Sequence, residues 1–187
     1  EEQLRYAVSV GADQAALLVT NGSDWDPQAT AAALAARVAE AEAADGVFDL
    51  ILVGNESADS GGYQVGVRVA HTLGRPIVGG IKGLAIEDGF VSARRETGSA
   101  VEVYRLPLPA MVAVKEGINL PRYPTLPGRL KAKKAEVASA PASANPGGLV
   151  MNRLLTPAEQ KTTTTILGRG PEAAPAVVDL FEELGLL

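Results

Sequence analysis

The sequence has no cysteine, and its 187 residues include a single histidine, His71. The absence of cysteine excludes disulfide bonds, thiol catalysis and thiolate metal sites, and one histidine is too few for a histidine-rich metal centre. Aromatic residues make up only 4% of a composition that is 47% hydrophobic, so the core must be built from aliphatic side chains. No serine has an identifiable base partner either. We therefore assign no catalytic residue and no metal site.

Long apolar runs and an excess of positive charge are also missing. No stretch approaches the roughly 20 apolar residues of a membrane span, so no membrane insertion is expected. The net charge is −5, from 17 basic and 22 acidic residues, and an acidic chain is a poor candidate for a general nucleic-acid binder. The sequence opens at Glu1 in a helix-like run without a signal peptide. We expect an N-terminal piece to be missing.

Strand-like and helix-like patterns alternate along residues 1–115. Apolar runs at 14–20, 48–54 and 111–115 predict strands, and helical spacing predicts helices at 1–10, 26–44 and 64–73. The near-continuous run at 48–54 is typical of a parallel strand covered on both faces. Residues 77–86, 90–95 and 100–106 predict further strands, with Asp88 and Gly89 as a hairpin turn. This order predicts an α/β fold: a Rossmann-like, doubly wound and mainly parallel sheet with an antiparallel hairpin insert.

A glycine-rich loop joins the predicted strand at 48–54 to the next helix. Ligands bind at such positions in open α/β sheets, beyond the carboxyl ends of the strands. Glycine lets the backbone approach a phosphate, and the first amide groups of the helix have no partner within it. Asp59 would repel phosphate and suits a helix cap, or an acceptor for a ribose hydroxyl or an adenine amine. The loop is neither a Rossmann fingerprint nor a P-loop, so phosphate binding and a merely tight turn both stay open. The candidate residues are Gly54, Ser57, Asp59, Ser60, Gly61, Gly62, Tyr63, Gln64, Val65 and Gly66.

A second feature is the basic, proline-rich segment at residues 119–134, which has five basic residues and no acidic one after residue 121. Pro124 and Pro127 disfavour a helix around Leu126, whose side chain is expected to project from the surface. An exposed aliphatic side chain beside positive charge suits an acidic partner with an apolar pocket. The alternative is a solvated, basic helix start with Leu126 folded onto the core. The candidate docking residues are Pro121, Arg122, Tyr123, Thr125, Leu126, Pro127, Arg129, Lys131 and Lys133.

The composition changes after residue 134. Residues 1–134 form a predicted nucleotide-binding α/β domain that is incomplete at its N-terminus, and residues 135–187 form a C-terminal arm. Residues 135–157 are rich in Ala, Ser, Pro, Gly and Asn and predict an extended segment. Residues 162–167 predict a strand, and residues 171–184 predict an amphipathic helix. The apolar side chains of the arm favour packing on another subunit. They are Leu149, Val150, Met151, Leu154 and Leu155.

The segment at 119–134 resembles the signature of electron-transferring flavoprotein β subunits, in which Asn, Pro-Arg, a Ser/Thr-Leu pair and Ala-Lys follow one another. The matching residues are Asn119, Pro121, Arg122, Thr125, Leu126, Ala132 and Lys133. The preceding residues 106–114, the loop at 54–66, the step at 11–13 and the closing strand and helix also match. The resemblance covers nearly the whole chain but lacks the family's first strand, first helix and second strand.

The resemblance implies a Rossmann-like electron-carrier subunit without side-chain catalysis, paired with an α subunit that holds the redox-active FAD. It implies that residues 59–70 hold AMP as a structural nucleotide and that the arm wraps onto the α subunit. The segment around Leu126 would dock acyl-CoA-type dehydrogenases of fatty acid oxidation. Electrons would then pass to a membrane quinone oxidoreductase. The compartment would be the bacterial cytoplasm or, in a eukaryote, the mitochondrial matrix.

One departure from the family pattern leaves the nucleotide open. Many AMP-binding members have further acidic residues after the position of Asp59, where this sequence has Ser60, Gly61 and Gly62. The glycines are similar to those of members that bind a second FAD, in place of AMP, for electron bifurcation. A further alternative is a nucleotide-binding stress-type module of related fold that works without an α partner.

Overall fold

The computed structural model describes residues 1–20, 22, 25–142, 148, 152–156 and 164–187. The chain divides into two compact units, Glu1–Val150 and Met151–Leu187. In chain order the helices and strands are α1 (Glu2–Ser9), β1 (Ala16–Val19), α2 (Pro27–Asp45), β2 (Leu50–Gly54), α3 (Val65–Thr72), β3 (Ile77–Glu87), β4 (Phe90–Thr97), β5 (Ala100–Pro107), β6 (Ala110–Val114), α4 (Leu126–Lys134), β7 (Ala138–Pro141) and α5 (Ala174–Glu183).

A five-stranded mixed sheet lies at the centre of the larger unit, in the order β2-β6-β3-β4-β5. Strands β2, β6 and β3 run parallel, and β3, β4 and β5 form an antiparallel meander. The hairpin between β3 and β4 turns at Asp88 and Gly89, which both have positive φ, as a two-residue hairpin turn requires. The predicted α/β fold, with its antiparallel insert, is confirmed.

Helices α2 and α3 cover one face of the parallel strands. Helix α2 begins where Asp26 accepts a hydrogen bond of 2.7 Å from the amide of Ala29, with a proline in its first turn, an arrangement that stabilises a helix start. The alanine-rich side of α2 is buried against α3 and the start of β6. The buried members of this cluster are Ala31, Ala35, Val69, Ala70 and Met111.

A second core cluster lies among the meander and the parallel strands. Ile81 of β3 and Val91 of β4 are fully buried members of this cluster, and Val112 of β6 also belongs to it. These residues are aliphatic, as the small aromatic content of the sequence requires. Buried side chains therefore stabilise both the parallel strands and the meander. This packing fixes the positions of the loops at the ends of the strands.

Strand β2 is less covered than its sequence suggests. The run at 48–54 predicts a strand buried on both faces, but Leu52 is 53% exposed. The reason is the strand order, because β2 lies at the end of the five-stranded sheet and its described pairing is to β6 alone. An apolar run does not distinguish a central parallel strand from a terminal one.

Strands β1 and β7 form a separate two-stranded parallel sheet, with Ala16 opposite Ala138 and Val19 opposite Pro141. Strand β7 lies at the start of the segment that the sequence predicts to be an extended arm. The first residues of that segment are thus extended, as expected, and they also belong to the larger unit through this pairing.

The smaller unit contains the predicted final helix, as a single 3₁₀ turn at Gly170–Ala173 followed by α5. The strand predicted at 162–167 is wrong for residues 164–167, which have no regular structure; residues 162 and 163 lie outside the described residues. A β-branched run needs a neighbouring strand to pair with, and the described part of this unit offers none.

The apolar patch predicted in the arm is described only in part. Leu154 and Leu155 are 85% and 70% exposed, whereas Leu149, Val150 and Met151 lie outside the described residues. Within the part of the chain that the structure describes, no helix has the length and apolar character to cross a membrane.

Candidate functional site

The glycine-rich loop at 54–66 leaves the carboxyl end of β2 and leads into α3. Its first half is a compact turn, closed by a 2.9 Å hydrogen bond from the amide of Gly61 to the carbonyl oxygen of Ser57. The hydroxyl oxygens of Ser57 and Ser60 lie 2.7 Å apart. The two hydroxyl groups are therefore hydrogen-bonded to each other on an exposed turn.

Asp59 is the charged residue of this turn, and it does not cap α3. Its carboxylate accepts a 2.7 Å hydrogen bond from the amide of Ser60, and α3 begins only at Val65, after Gln64. Hydrogen bonding from Ser57, and then from the Ser60 amide, lowers the pKa of Asp59 below its usual value. Asp59 is therefore an anion at neutral pH, suited to a hydroxyl or amine of a ligand and unsuited to its phosphate.

Three glycines of the loop differ in their backbone conformation and in the space around them. Gly61 has φ +55°, which disfavours other residues, whereas Gly62 has an ordinary φ and open space around it. Gly66 lies in the first turn of α3, where a Cβ would come within 2.7 Å of Cγ2 of Val53. Close packing of α3 on β2 thus requires Gly66. At Gly61 and Gly62, in contrast, no atom lies within 4 Å of the position of a Cβ, so the backbone there is open.

A cleft of about 370 Å³ opens beside this loop, at the carboxyl ends of β2 and β6. It is bounded by an irregularity in β3, where an extra residue lies between Val78 and Ile81 relative to β6. The Oδ1 atom of Asn55 accepts a 2.6 Å hydrogen bond from the amide of Gly80 and so ties the loop to this bulge. The lining residues are Gly54, Asn55, Tyr63, Gly66, Val67, Ile77, Gly79, Gly80, Arg95, Ala113 and Lys115.

Two cationic side chains line the cleft, and neither belongs to the set predicted from the sequence. Arg95 is held by Glu102, with 2.7 Å between Nε and Oε2, and its guanidinium lies 4.9 Å from the ring centre of Tyr104. Hydrogen bonds from Tyr104 and then from Arg95 lower the pKa of Glu102. Lys115 follows β6 directly. The sequence signal that was missed is the glycine pair at 79–80, which is unusual inside a strand and marks a bulge.

The structure thus does not bring all of the predicted nucleotide residues together. Gly54, Tyr63 and Gly66 line the cleft. The turn at 57–62 lies beside it on the surface, Val65 packs into the core cluster of α2 and α3, and the Oε1 atom of Gln64 accepts hydrogen bonds from Arg68 at 3.1 and 3.2 Å. The loop therefore offers one exposed rim of small and polar groups and one wall of a cleft.

The basic segment differs from its prediction in one respect. Leu126 is the first residue of α4 instead of lying in non-helical chain, because Thr125 caps that helix by accepting a 3.2 Å hydrogen bond from the amide of Gly128. Pro127 is compatible with this start, since the first helical turn does not need its amide hydrogens. The prediction that Pro124 and Pro127 disfavour a helix around Leu126 is therefore wrong.

The side chains of this segment are nevertheless exposed. Leu126 is 73% and Tyr123 is 88% exposed, and the neighbouring Leu120 and Leu130 are 90% and 52% exposed. Among the basic residues, Lys131 approaches Asp13 at 3.7 Å between Nζ and Oδ1, an exposed pair. The remaining predicted docking residues are also exposed, namely Pro121, Arg122, Thr125, Pro127, Arg129 and Lys133. The segment therefore combines apolar and positively charged groups on one stretch of surface.

Comparison with known proteins gives one consistent result. The family model for the electron transfer flavoprotein domain matches residues 1–145. The chain is 37% identical over 134 residues to electron transfer flavoprotein subunit beta of Bacillus subtilis (strain 168), which covers 72% of this chain and 51% of that protein. For the protein of the same name from Syntrophomonas wolfei, the identity is 39% over 144 residues, covering 76% and 54%. For that of Mycobacterium tuberculosis (strain H37Rv) it is 37% over 137 residues, covering 73% and 50%. The chain thus spans about half the length of the curated relatives it matches.

Proposed function

The chain belongs to the electron transfer flavoprotein family, and from this membership we propose that it acts in the β subunit of a heterodimeric electron carrier. The subunit binds AMP as a structural nucleotide, helps to hold the FAD of an α subunit and docks acyl-CoA-type dehydrogenases. The electrons go on to a membrane quinone oxidoreductase. Such a carrier works in the cytoplasm of a bacterium or in the mitochondrial matrix.

The open backbone at Gly62, beside the cleft at the end of β2, is the observation that carries the nucleotide proposal. Gly62 has no atom within 4 Å of the position of a Cβ, so a phosphate has room to approach the main chain. The free amide groups in the first turn of α3 favour an anion there. Asp59 lies on the rim, where it suits the ribose or the adenine. These features support an adenine nucleotide without distinguishing AMP from a second FAD.

The experiment is to denature the purified complex with its α subunit and identify the released nucleotides by chromatography and mass spectrometry. One AMP and one FAD per heterodimer are expected. Two FAD molecules and no AMP would instead favour the bifurcating alternative. Gly62→Val tests the position, because the new side chain enters open space without a strained φ. Full nucleotide occupancy in this variant would remove the loop from the proposal.

Docking of a dehydrogenase is proposed for the segment at 119–134. Leu126 and Leu130 are apolar and exposed, and the basic residues around them suit an acidic partner surface. Charge complementarity of this kind mainly raises the association rate, whereas a buried apolar anchor sets the lifetime of a complex. The proposed partner surface is therefore an apolar pocket with an acidic rim.

An α subunit is proposed as the partner of the residues after 134. In the smaller unit, α5 has Val178 and Phe181 46% and 42% exposed, and Leu184 after it is 61% exposed. A helix face of this kind is more stable when another surface covers it. The test is limited proteolysis of the chain with and without the α subunit. Equal rates of cleavage after residue 134 in both samples would refute packing on that subunit.

The partner-free nucleotide-binding module is the remaining alternative. It leaves the exposed docking segment without a role, and family membership gives it no support. Size-exclusion chromatography of the chain mixed with a candidate α subunit distinguishes the two. Co-elution is expected, and separate elution at micromolar concentration would favour the module.

A further inference from the structure

Helix α4, which continues the docking segment, lies directly against α1. A Cβ on Gly128 would be 2.2 Å from the carbonyl oxygen of Ser9, the last residue of α1. One turn further along α4, Ala132 is 6% exposed, whereas Leu126 and Leu130 are mostly exposed. The two helices thus touch backbone to backbone on one side of α4. The leucines lie on the opposite, solvent-facing side.

Arg5 of α1 contacts the carboxyl end of α4. Its Nη1 atom donates hydrogen bonds to the carbonyl oxygen of Ala132 at 3.0 Å and to that of Ala135 at 2.8 Å. The carbonyl groups at this end of a helix carry the negative end of its dipole, so a cation is favourable there. On its other side, Arg5 pairs with Oε1 of Glu1, at 2.6 Å from Nη2 and 3.2 Å from Nε. The guanidinium is therefore fixed in one plane.

The length of α4 makes these contacts important. It has nine residues, whereas an isolated helix shorter than about 12–15 residues is only marginally stable in water. Its apolar residues are largely exposed, so little core packing holds it. The contact of Gly128 with Ser9 holds its amino end, and the hydrogen bonds from Arg5 hold its carboxyl end.

We propose that Arg5 is a positioning residue for dehydrogenase docking, acting on the partner only through α4. It keeps α4 helical and oriented on α1, so that Leu126 faces the partner in one fixed direction. A pre-ordered anchor spares the complex the entropy of ordering that segment on binding. The inference rests on the docking function proposed above, and it assigns to α1 a role that the basic segment alone does not have.

The test uses the complex with the α subunit and one purified acyl-CoA dehydrogenase that reduces the wild-type complex. Arg5→Met keeps the apolar stem and removes both hydrogen bonds, and we expect it to raise the KM for the dehydrogenase about 3- to 10-fold with kcat unchanged. Arg5→Lys keeps the charge without the planar pair of donors and should give a smaller rise. The matched control is Arg37→Met, because Arg37 has a similar exposure and its ion pair among the described residues is with Glu40 of its own helix, at 3.8 Å.

Two further measurements separate positioning from general stability. In a Leu126→Ala background, Arg5→Met should add little to the KM, since the anchor it positions is gone. Amide hydrogen exchange in α4 should become faster in Arg5→Met and stay unchanged in Arg37→Met. Fully additive effects, equal loss of kcat, or unchanged exchange in α4 would each overturn the positioning role. If Leu126→Ala itself leaves KM unchanged, the docking function fails, and hydrogen exchange still decides whether Arg5 holds α4.

Discussion

The substitution Leu126→Ala tests the proposed docking surface most directly, and its expected effect follows from the exposure of the side chain. Leu126 is 73% exposed in the free chain, and full burial of a leucine contributes about 1.5–3 kcal/mol. Burial of the exposed share in a partner pocket would then contribute about 1.1–2.2 kcal/mol. Alanine retains one of the four side-chain carbons, so about three quarters of this contribution, about 0.8–1.6 kcal/mol, is lost. Docking should therefore weaken about 4- to 14-fold, at about 1.4 kcal/mol for each factor of ten.

The stability of the chain should change little, because Leu126 is exposed and alanine is a good helix former. The assay measures the electron-transfer rate as a function of dehydrogenase concentration, with flavin content and thermal unfolding as checks on folding. Val101→Ala on β5 is the control, since Val101 is an aliphatic residue with 61% exposure outside the segment. Wild-type affinity in Leu126→Ala, or an unfolded variant, would show that the reasoning from exposure is wrong.

Three other predictions concern packing, charge and pH. Gly66→Ala should lower the free energy of unfolding by about 1–3 kcal/mol, because the new Cβ would clash with Val53 of β2. Gly62→Ala is the control and should leave it unchanged. Equal melting temperatures of the two variants would show that α3 does not pack closely on β2 at Gly66. Neutralising Lys131 and Lys133 to Gln should slow dehydrogenase association at low salt and flatten its salt dependence, and stopped-flow rates that keep the wild-type salt slope would contradict this. The pKa of Glu102 is lower in the folded state than in the unfolded state. Ionised Glu102 therefore stabilises the fold at pH values above its unfolded-state pKa. This contribution is lost as the pH falls through its folded-state pKa. Glu102→Gln should therefore lose less stability than wild type on acidification below about pH 4.3, as measured by urea unfolding across that range.

Features that depend on neighbouring residues were readable from the sequence. Asp26 and the proline after it start α2, and Asp88 and Gly89 form the hairpin turn, because caps and turns are fixed by a few adjacent side chains. The start of α4 had the same kind of signal in Thr125 and Pro127. Proline predicts a break only in the interior of a helix, whereas in the first turn, where Pro127 lies, it is tolerated.

Features that depend on strand order were not readable. Leu52 is exposed because β2 ends the sheet, and the pairing of β1 with β7 joins segments more than a hundred residues apart. The same holds for the cleft, since Arg95 reaches it only because β4 pairs with β3 beside the bulge at Gly80. Hydrophobic periodicity predicts that a strand exists but contains no information about its neighbours.

Strand β3 pairs with β6 in the parallel part of the sheet and with β4 in the meander, and this has a consequence for the order of folding. Its later residues pair with β4 across a two-residue turn, whereas β2 pairs with β6 from Leu50 to Ala110, across the whole intervening chain. Contacts that are close in sequence form before those that must close a long loop. We therefore expect the meander to be the folding nucleus and β2 to join it late, carrying the glycine-rich loop with it. The edge proposed to bind the nucleotide would then be the last part of the sheet to assemble, and a nucleotide bound there would stabilise the assembled edge.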